Sequence, residues 1–385
     1  MSWPRATREA IYSLQAIIRE LTATFVGRTQ AARLLVLASV CREHLLLLGP
    51  PGTAKTDLIT RFSGLISAGQ FSYLLTRFTE PSEIFGPLDF ERFQQGTYHI
   101  RTEGMLPEAD IVFLDEVFQG SSAILNTLLT VINERHFHNG GHRQPVRLVS
   151  LFGASSELPE DPGLRAFSDR FLLRLQVEPV AGTQLPELLE YGWRHQQQRI
   201  AGESAAVSAL VTVDAIDRLS KQVRHVDTED VREVYAEMVG DLLGQGVTLS
   251  DRRIVRGVKL VAAAALLREA ETAQPKDFWP LAHFWTEPGD AEVVRSVVAE
   301  YVAADAGEPV TERESPAILV ARARQAAQRL DRRVGPVTGR SLVATLRTLN
   351  EIRLTLLRDH PHDEAAIATV QQLIDRTTER LAEAG

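Results

Sequence analysis

The run Leu45-Leu46-Leu47-Leu48-Gly49-Pro50-Pro51-Gly52-Thr53-Ala54-Lys55-Thr56 constrains this chain more than any other stretch, because an apolar strand passes straight into a glycine-rich turn ending in Lys-Thr. Four consecutive leucines predict a strand covered on both faces, as in a parallel sheet; a one-sided strand would alternate apolar and polar residues. Gly49 and Gly52 let backbone N–H groups converge on phosphate oxygens, Lys55 reaches the β and γ phosphates, and the Thr56 hydroxyl is placed to ligate Mg²⁺. Pro50, Pro51 and Thr53 complete the turn. The general pattern has glycine where this chain has Ala54, so Ala54 must sit at negative φ or be a tolerated variant. The competing explanation is a Gly-Pro-rich strand-to-helix turn that carries Lys-Thr by chance.

The second landmark is Ala109-Asp110-Ile111-Val112-Phe113-Leu114-Asp115-Glu116, an apolar strand that ends in two adjacent carboxylates. Such a pair is expensive to bury without work to do. At the C-terminal end of a parallel strand, Asp115 is suited to hold the Mg²⁺ hydration shell and Glu116 to orient an attacking water. The bland use of Asp-Glu at a strand end is to cap the next helix. Around these landmarks strand and helix alternate as in a doubly wound domain. Residues 71–76 predict a strand, 95–101 a small hairpin with a Gly turn, 121–134 an amphipathic helix, 138–142 a polar hairpin and 146–153 a buried strand.

At 385 residues the chain is long enough for about two or three domains. No apolar run approaches the ~18 residues that would cross a bilayer, and no signal-peptide core follows Met1, so a cytoplasmic protein without a membrane span is expected. Cys41 is the single cysteine, which excludes an internal disulfide and leaves packing as its role. A net charge of −8 argues against nucleic acid as a partner of the whole surface.

These residues resemble the MoxR-type AAA+ ATPases, most closely the RavA-like branch. The loop at Gly49 is similar to that family's phosphate loop, including alanine before the lysine. Further similar strings are Thr76-Arg77-Phe78, Glu83-Ile84-Phe85-Gly86-Pro87-Leu88, the run at 125–135, Ser156-Glu157-Leu158-Pro159-Glu160 and Ser250-Asp251-Arg252-Arg253. The likeness spans roughly residues 22–301. It implies an α/β AAA+ P-loop core over 1–180, an all-helical lid over 181–304 and a three-helix C-terminal domain over 305–385.

The resemblance also implies roles for single positions. Ser156 stands where the family has a sensor asparagine, and its shorter side chain puts fast hydrolysis in question; a structural turn serine is the other reading. Arg170, in Asp169-Arg170-Phe171, resembles an arginine finger that would act in trans, against the alternative of a surface or ion-pair arginine. Arg252 resembles the second sensor, with Arg253 as its rival. Phe25-Val26-Gly27-Arg28 resembles the strip that lines adenine, against a plain helix-start context.

From residue 180 the periodicity turns helical: 185–200, 213–223, 228–243 and 251–268 predict helices, with Thr228 and Ser250 as N-caps. The aromatic run 277–285 is expected in the lid core. A polar linker follows at 305–309, then helical segments broken at Gly335-Pro336 and His360-Pro361. RavA-like proteins carry a large partner-binding insert here, for which this chain has no room. Between Arg313 and Arg358 ten arginines face three acids. A solvated helix face is the default use of such a run, docking onto an acidic protein the next, and nucleic acid the least.

Together these expectations describe an oligomeric, by the resemblance hexameric, ATP- and Mg²⁺-dependent hydrolase that remodels or matures a protein client with a von Willebrand factor A (vWA) domain partner. The rivals are a nucleotide-dependent switch with negligible hydrolysis and a DNA-remodelling motor. The loops at 96–103 and 138–143 are the expected client contacts, or else plain exposed turns.

Overall fold

The computed structural model describes residues 3–159, 161–201, 208–305, 339–359 and 364–383, with 320, 323–324 and 327. The chain divides into two compact units, Met1–Gly307 and Glu308–Gly385.

The first unit begins with two helices. α1 (Arg5–Thr24) buries Ile11, Leu14, Ile17 and Leu21 at helical spacing, and α2 (Thr29–Cys41) is buried over nearly its whole length. β1 (Leu45–Leu48) is buried at every residue and leads through the glycine turn into α3 (Lys55–Leu65). Then come β2 (Gln70–Leu74), the short helices α4 (Pro81–Phe85) and α5 (Phe90–Gln94), β3 (Ile111–Asp115), and α6 (Ser122–Glu134), whose start is capped by Ser121. The hairpin β4 (His136–Asn139) and β5 (His142–Pro145) precedes β6 (Ser150–Ser155), α7 (Pro162–Ser168) and β7 (Leu173–Gln176).

Five strands form one parallel sheet in the order β2-β3-β6-β1-β7. β1 lies inside this sheet, which is why its four leucines need no polar face. The strand expected from Val146 begins only at Ser150, because Val146 N donates to Arg135 O (2.9 Å) and Val149 N to Asp110 O (2.7 Å), outside the sheet ladder.

The expected hairpin at 95–101 is not one. Gln95 and Gly96 end α5, and Ile100 makes an antiparallel bridge to Leu88. The buried Asn139 side chain holds Ile100 through both its N–H (2.7 Å) and its carbonyl (2.9 Å), so this segment is pinned to the real hairpin, β4–β5. Gly140, at φ 61, fits there because a Cβ would lie 2.1 Å from Tyr98 O.

The helical part of the unit comprises α8 (Leu185–Ile200), α9 (Val213–Gln222), α10 (Val231–Gly244), α11 (Asp251–Leu267) and α12 (Ala291–Asp305). Ser250 caps α11 as expected, its Oγ accepting from Arg253 N at 3.3 Å. Thr228 does not cap α10: Asp230 holds that position, and the Thr228 hydroxyl accepts from Arg232 Nε at 3.3 Å. The aromatic run forms a 3₁₀ helix, Pro275–His283, with Phe278, Phe284 and Trp285 buried and Trp279 under the Arg33 guanidinium at 4.0 Å. Cys41 is buried and unoxidised, and burial pushes its thiol pKa up to about 12, as a packing residue requires.

In the second unit α13 (Gly339–Asp359) packs on α14 (Glu364–Glu383) around Leu349, Ile352, Leu356, Val370 and Ile374. The linker at 305–309 beyond Asp305, the breaks at Gly335-Pro336 and His360-Pro361, most of the first expected helix and half of the ten arginines of the arginine-rich run lie outside the described residues. Among the described residues no helix is long and apolar enough to cross a membrane.

Candidate nucleotide site

The C-terminal edge of the parallel sheet gathers the two landmarks. The glycine turn leaves β1 at Gly49, where φ is 154 and a Cβ would stand 2.1 Å from Val177 O, so a side chain would collide with the backbone that leaves β7. Gly49 N donates to Ser155 O at 3.0 Å, tying the turn to β6 as well. Gly52, at φ 80, makes the second bend, and Pro50 and Pro51 lie between.

Ala54 sits at φ 61, ψ 25, in the left-handed region and not at negative φ. The position has the geometry that favours glycine, so this chain carries the tolerated variant, at a cost of ~1 kcal/mol. Lys55, the first residue of α3, turns back over the loop: its Nζ donates to Gly49 O (2.8 Å) and Pro50 O (2.9 Å), with Thr53 Oγ1 at 3.4 Å. Burial lowers the Lys55 pKa, an effect opposed by Asp115 and Glu116 and reinforced by Arg28. The Thr56 side chain beside Lys55 is exposed.

Asp115 ends β3 half-buried, and its Oδ1 accepts from Glu116 N at 3.0 Å. Glu116 is in the left-handed region at φ 49 and precedes a 3₁₀ turn. Two oxygen groups, the Thr56 hydroxyl and the Asp115 carboxylate, suit a hard cation that takes its remaining ligands from water and phosphate. Among the described residues no group of three or more His, Cys, Asp or Glu could hold a metal ion.

Ser156 is exposed and lines a cavity of about 760 Å³ together with Leu48, Gly49, Pro50, Arg165 and Glu287. Its buried neighbour Ser155 donates instead to Glu157 O at 2.8 Å. Val26 is buried, and Gly27 packs against the connector from β7 to the helical region, a Cβ there meeting Gln184 Oε1 at 3.0 Å and Val180 Cγ2 at 3.4 Å. Arg28 Nε donates to Thr53 O at 3.2 Å, linking this strip to the phosphate turn.

Arg252 and Arg253 each donate to protein groups outside the phosphate turn. Arg170 follows α7, half-buried, its backbone N donating to Phe167 O at 3.0 Å. Arg252 Nη2 donates to Asn133 Oδ1 of α6 at 3.1 Å. Arg253, expected as the alternative second sensor, is 2% exposed and donates to the carbonyls of Phe171, Leu172 and Phe284 and to Asp169. Its terminal nitrogens are committed to protein acceptors, and its Nε, without a partner among the described residues, is buried. Sequence reasoning missed Arg174, whose guanidinium is buried and holds Ser168; the signal was a lone arginine inside Phe171-Leu172-Leu173-Arg174-Leu175.

A family model for the MoxR domain in MoxR-vWA-beta-propeller ternary systems matches residues 12–221, and one for an AAA lid domain matches residues 228–298. An uncharacterized protein of Methanocaldococcus jannaschii is 36% identical over 280 residues, 72% of each chain. Chaperone MoxR1 of Mycobacterium tuberculosis is 28% identical over 172 residues, 43% of this chain and 45% of its own. The crystal structure of a candidate ATPase from Cytophaga hutchinsonii shares the fold, with a TM-score of 0.60 at 15% identity over 77% of this chain and 95% of that one.

The sheet order, the phosphate turn after β1, the carboxylate pair after β3 and the helical lid define a P-loop ATPase of the AAA+ class. Within that class the chain belongs to the MoxR family. It is an ATP hydrolase with an α/β core, a helical lid and a helical C-terminal region.

Proposed function

We propose that this chain is a Mg²⁺-dependent, ring-forming ATPase of the RavA-like kind, a cytoplasmic hexamer whose turnover remodels or matures a protein client together with a vWA-domain partner. The observation that carries the reading is that the phosphate turn closed by Lys55 follows β1 and the Asp115–Glu116 pair follows β3 of the same parallel sheet. The name of the matched domain supports the vWA partner, and the name of the mycobacterial relative supports a chaperone role. The domains are taken as 1–180, 181–304 and 305–385.

In the hydrolytic step Glu116 orients a water and accepts its proton as the oxygen attacks the γ phosphorus in line, and the bond to the β–γ bridging oxygen breaks, leaving ADP and phosphate. Lys55 and the backbone N–H groups of 49–56 hold the charge that builds on the phosphate oxygens, and Arg170 of a neighbouring subunit adds its guanidinium. Thr56 and Asp115 would hold Mg²⁺, which neutralises charge across the β and γ oxygens. Arg252 is the lid arginine retained as a nucleotide contact, and Val26 and Gly27 line the base. Client contact falls to the loops at 96–103 and 138–143. They border a cavity of about 530 Å³ lined by Tyr98, Ile100, His136 and His138, and Phe90 and Phe93 are exposed on α5 nearby in sequence.

A nucleotide-dependent switch is the second reading, favoured by the short, exposed Ser156. Turnover measured while the protein is diluted tests the first. Specific activity should fall through the range where light scattering reports loss of the ring, and activity that stays constant into the monomer range excludes a shared site. Glu116→Gln with ATP in a native-lysate pull-down should enrich a vWA-domain protein.

A further inference from the structure

Arg253, the rival of Arg252 for the second-sensor role, has a side chain that is 1% exposed and held by protein acceptors. One terminal nitrogen donates to Leu172 O (2.7 Å) and Phe284 O (2.8 Å), the other to Phe171 O (3.0 Å) and Asp169 Oδ1 (3.3 Å). Three of these four acceptors belong to residues that bracket Arg170. Four of the five N–H donors of this buried guanidinium are met, its Nε alone having no partner among the described residues, so the acceptors cannot drift without leaving more of the buried charge unmet.

Arg174 acts on the same segment from β7. One of its nitrogens donates to Ser168 O (2.9 Å) and Ser168 Oγ (3.1 Å), and another donates to Thr286 O. The two guanidiniums therefore join residues 168–172 to residues 284 and 286 of the lid. The Phe171 ring seats the segment from the core side: a Cβ on Gly153 would lie 2.9 Å from it, and Phe167 meets it edge-on at 5.6 Å. The Arg170 side chain stays half-buried, and among the described residues its Nε has no hydrogen-bond partner.

We infer that Arg253 is a positioning residue for Arg170, fixing the finger to the lid of its own subunit, and is not a sensor of that subunit's nucleotide. The inference rests on the reading of Arg170 as a finger that acts on a neighbour. It makes the lid and the finger of one subunit a single mechanical piece, so a lid that moves with its own nucleotide moves the arginine offered to the next site. Arg253 and Arg170 then belong to the same functional group, although Arg253 lies in the lid and Arg170 in the core.

Mixing variant subunits separates the two roles. Arg253→Met alone should lower kcat by about a hundredfold, the scale of a misplaced catalytic group, with ATP affinity within about twofold of wild type. Mixed with Glu116→Gln subunits it should regain activity, because the Arg253→Met subunit supplies an intact Glu116 and its neighbour an intact, well-held finger. Mixed with Arg170→Ala subunits it should regain none, since both carry faulty fingers. A sensor acting on its own nucleotide gives the opposite pattern, with recovery beside Arg170→Ala and none beside Glu116→Gln, and that result overturns the inference. Wild-type turnover by Arg253→Met also overturns it. Should Arg253→Met not reach the wild-type circular dichroism spectrum, Asp169→Asn is read in the same two mixtures with the same expectations. The control pair, Arg170→Ala with Glu116→Gln, must regain activity; if it does not in mixtures shown to co-assemble, the finger reading fails and this inference with it.

Discussion

The ammonium of Lys55 donates to the carbonyl of Gly49 at 2.8 Å, closing the phosphate turn on itself from its last residue to its first. Asp115 and Glu116, at the end of β3, act on the same group electrostatically, opposing the fall in its pKa that burial causes.

Removing that cation should abolish binding, whereas neutralising its acidic neighbour should abolish only turnover. Lys55→Ala is expected to weaken ATP affinity by roughly 10- to 100-fold or more, the value of lost charged hydrogen bonds. Glu116→Gln should bind ATP as wild type does and hydrolyse it about 10²- to 10⁴-fold more slowly. Calorimetric titration and phosphate release, measured on both variants, check the separation. Wild-type turnover in both would end the hydrolase assignment of these residues.

Two alanine-glycine exchanges in the turn should have unequal effects. Gly49→Ala places a methyl 2.1 Å from Val177 O, a backbone collision, and should destabilise the protein by about 2–4 kcal/mol. Ala54→Gly relieves a left-handed alanine but loosens the unfolded chain, two effects of ~1 kcal/mol that oppose. Its stability should lie within about 1 kcal/mol of wild type in urea denaturation.

Ser156→Asn should raise the turnover number with little change in ATP affinity. A longer amide would extend from the exposed rim beside Gly49 and Pro50 toward the γ phosphate. An unchanged or lower rate in a folded variant means that Ser156 is no handicapped sensor, and the switch reading then gains nothing from it.

Acid should weaken the lid region through His283. Burial, helped by Arg295 and Arg33, holds its pKa near 4 against an ordinary 6.5. The unfolded chain therefore takes up a proton first, so the stability contributed is full above pH 6.5 and drains away as pH falls toward 4. The loss is on the order of 2–3 kcal/mol. Denaturation midpoints of wild type and His283→Gln, compared at several pH values across that window, should show a shallower acid slope for the variant.

The parts of the site written in local sequence were legible: four leucines announced β1, and Asp115-Glu116 after an apolar run announced the end of β3. What tertiary contacts decide was not. Arg252 and Arg253 are one residue apart, and on a helix that step turns the side chain by ~100°. Which of them faces the core depends on carbonyls at 171, 172 and 284, far away in sequence. Ala54 is similar, because no local preference for alanine foretells φ 61. The segment at 95–101 carried a hairpin's glycine but lacked a partner strand, and Asn139 took over the pairing.

The position of β1 between β6 and β7 also has a consequence for biosynthesis. Leu45 pairs with Phe152 on one side and Leu173 on the other, both more than a hundred residues downstream. At ~5–20 residues per second of translation, β1 waits several seconds or longer for either neighbour to leave the ribosome. Throughout that interval Leu45-Leu46-Leu47-Leu48 is an uncovered apolar strand, and the turn after it has neither Ser155 nor Val177 to shape it. The nascent chain thus exposes its stickiest segment early and acquires a nucleotide site only after β7 has emerged.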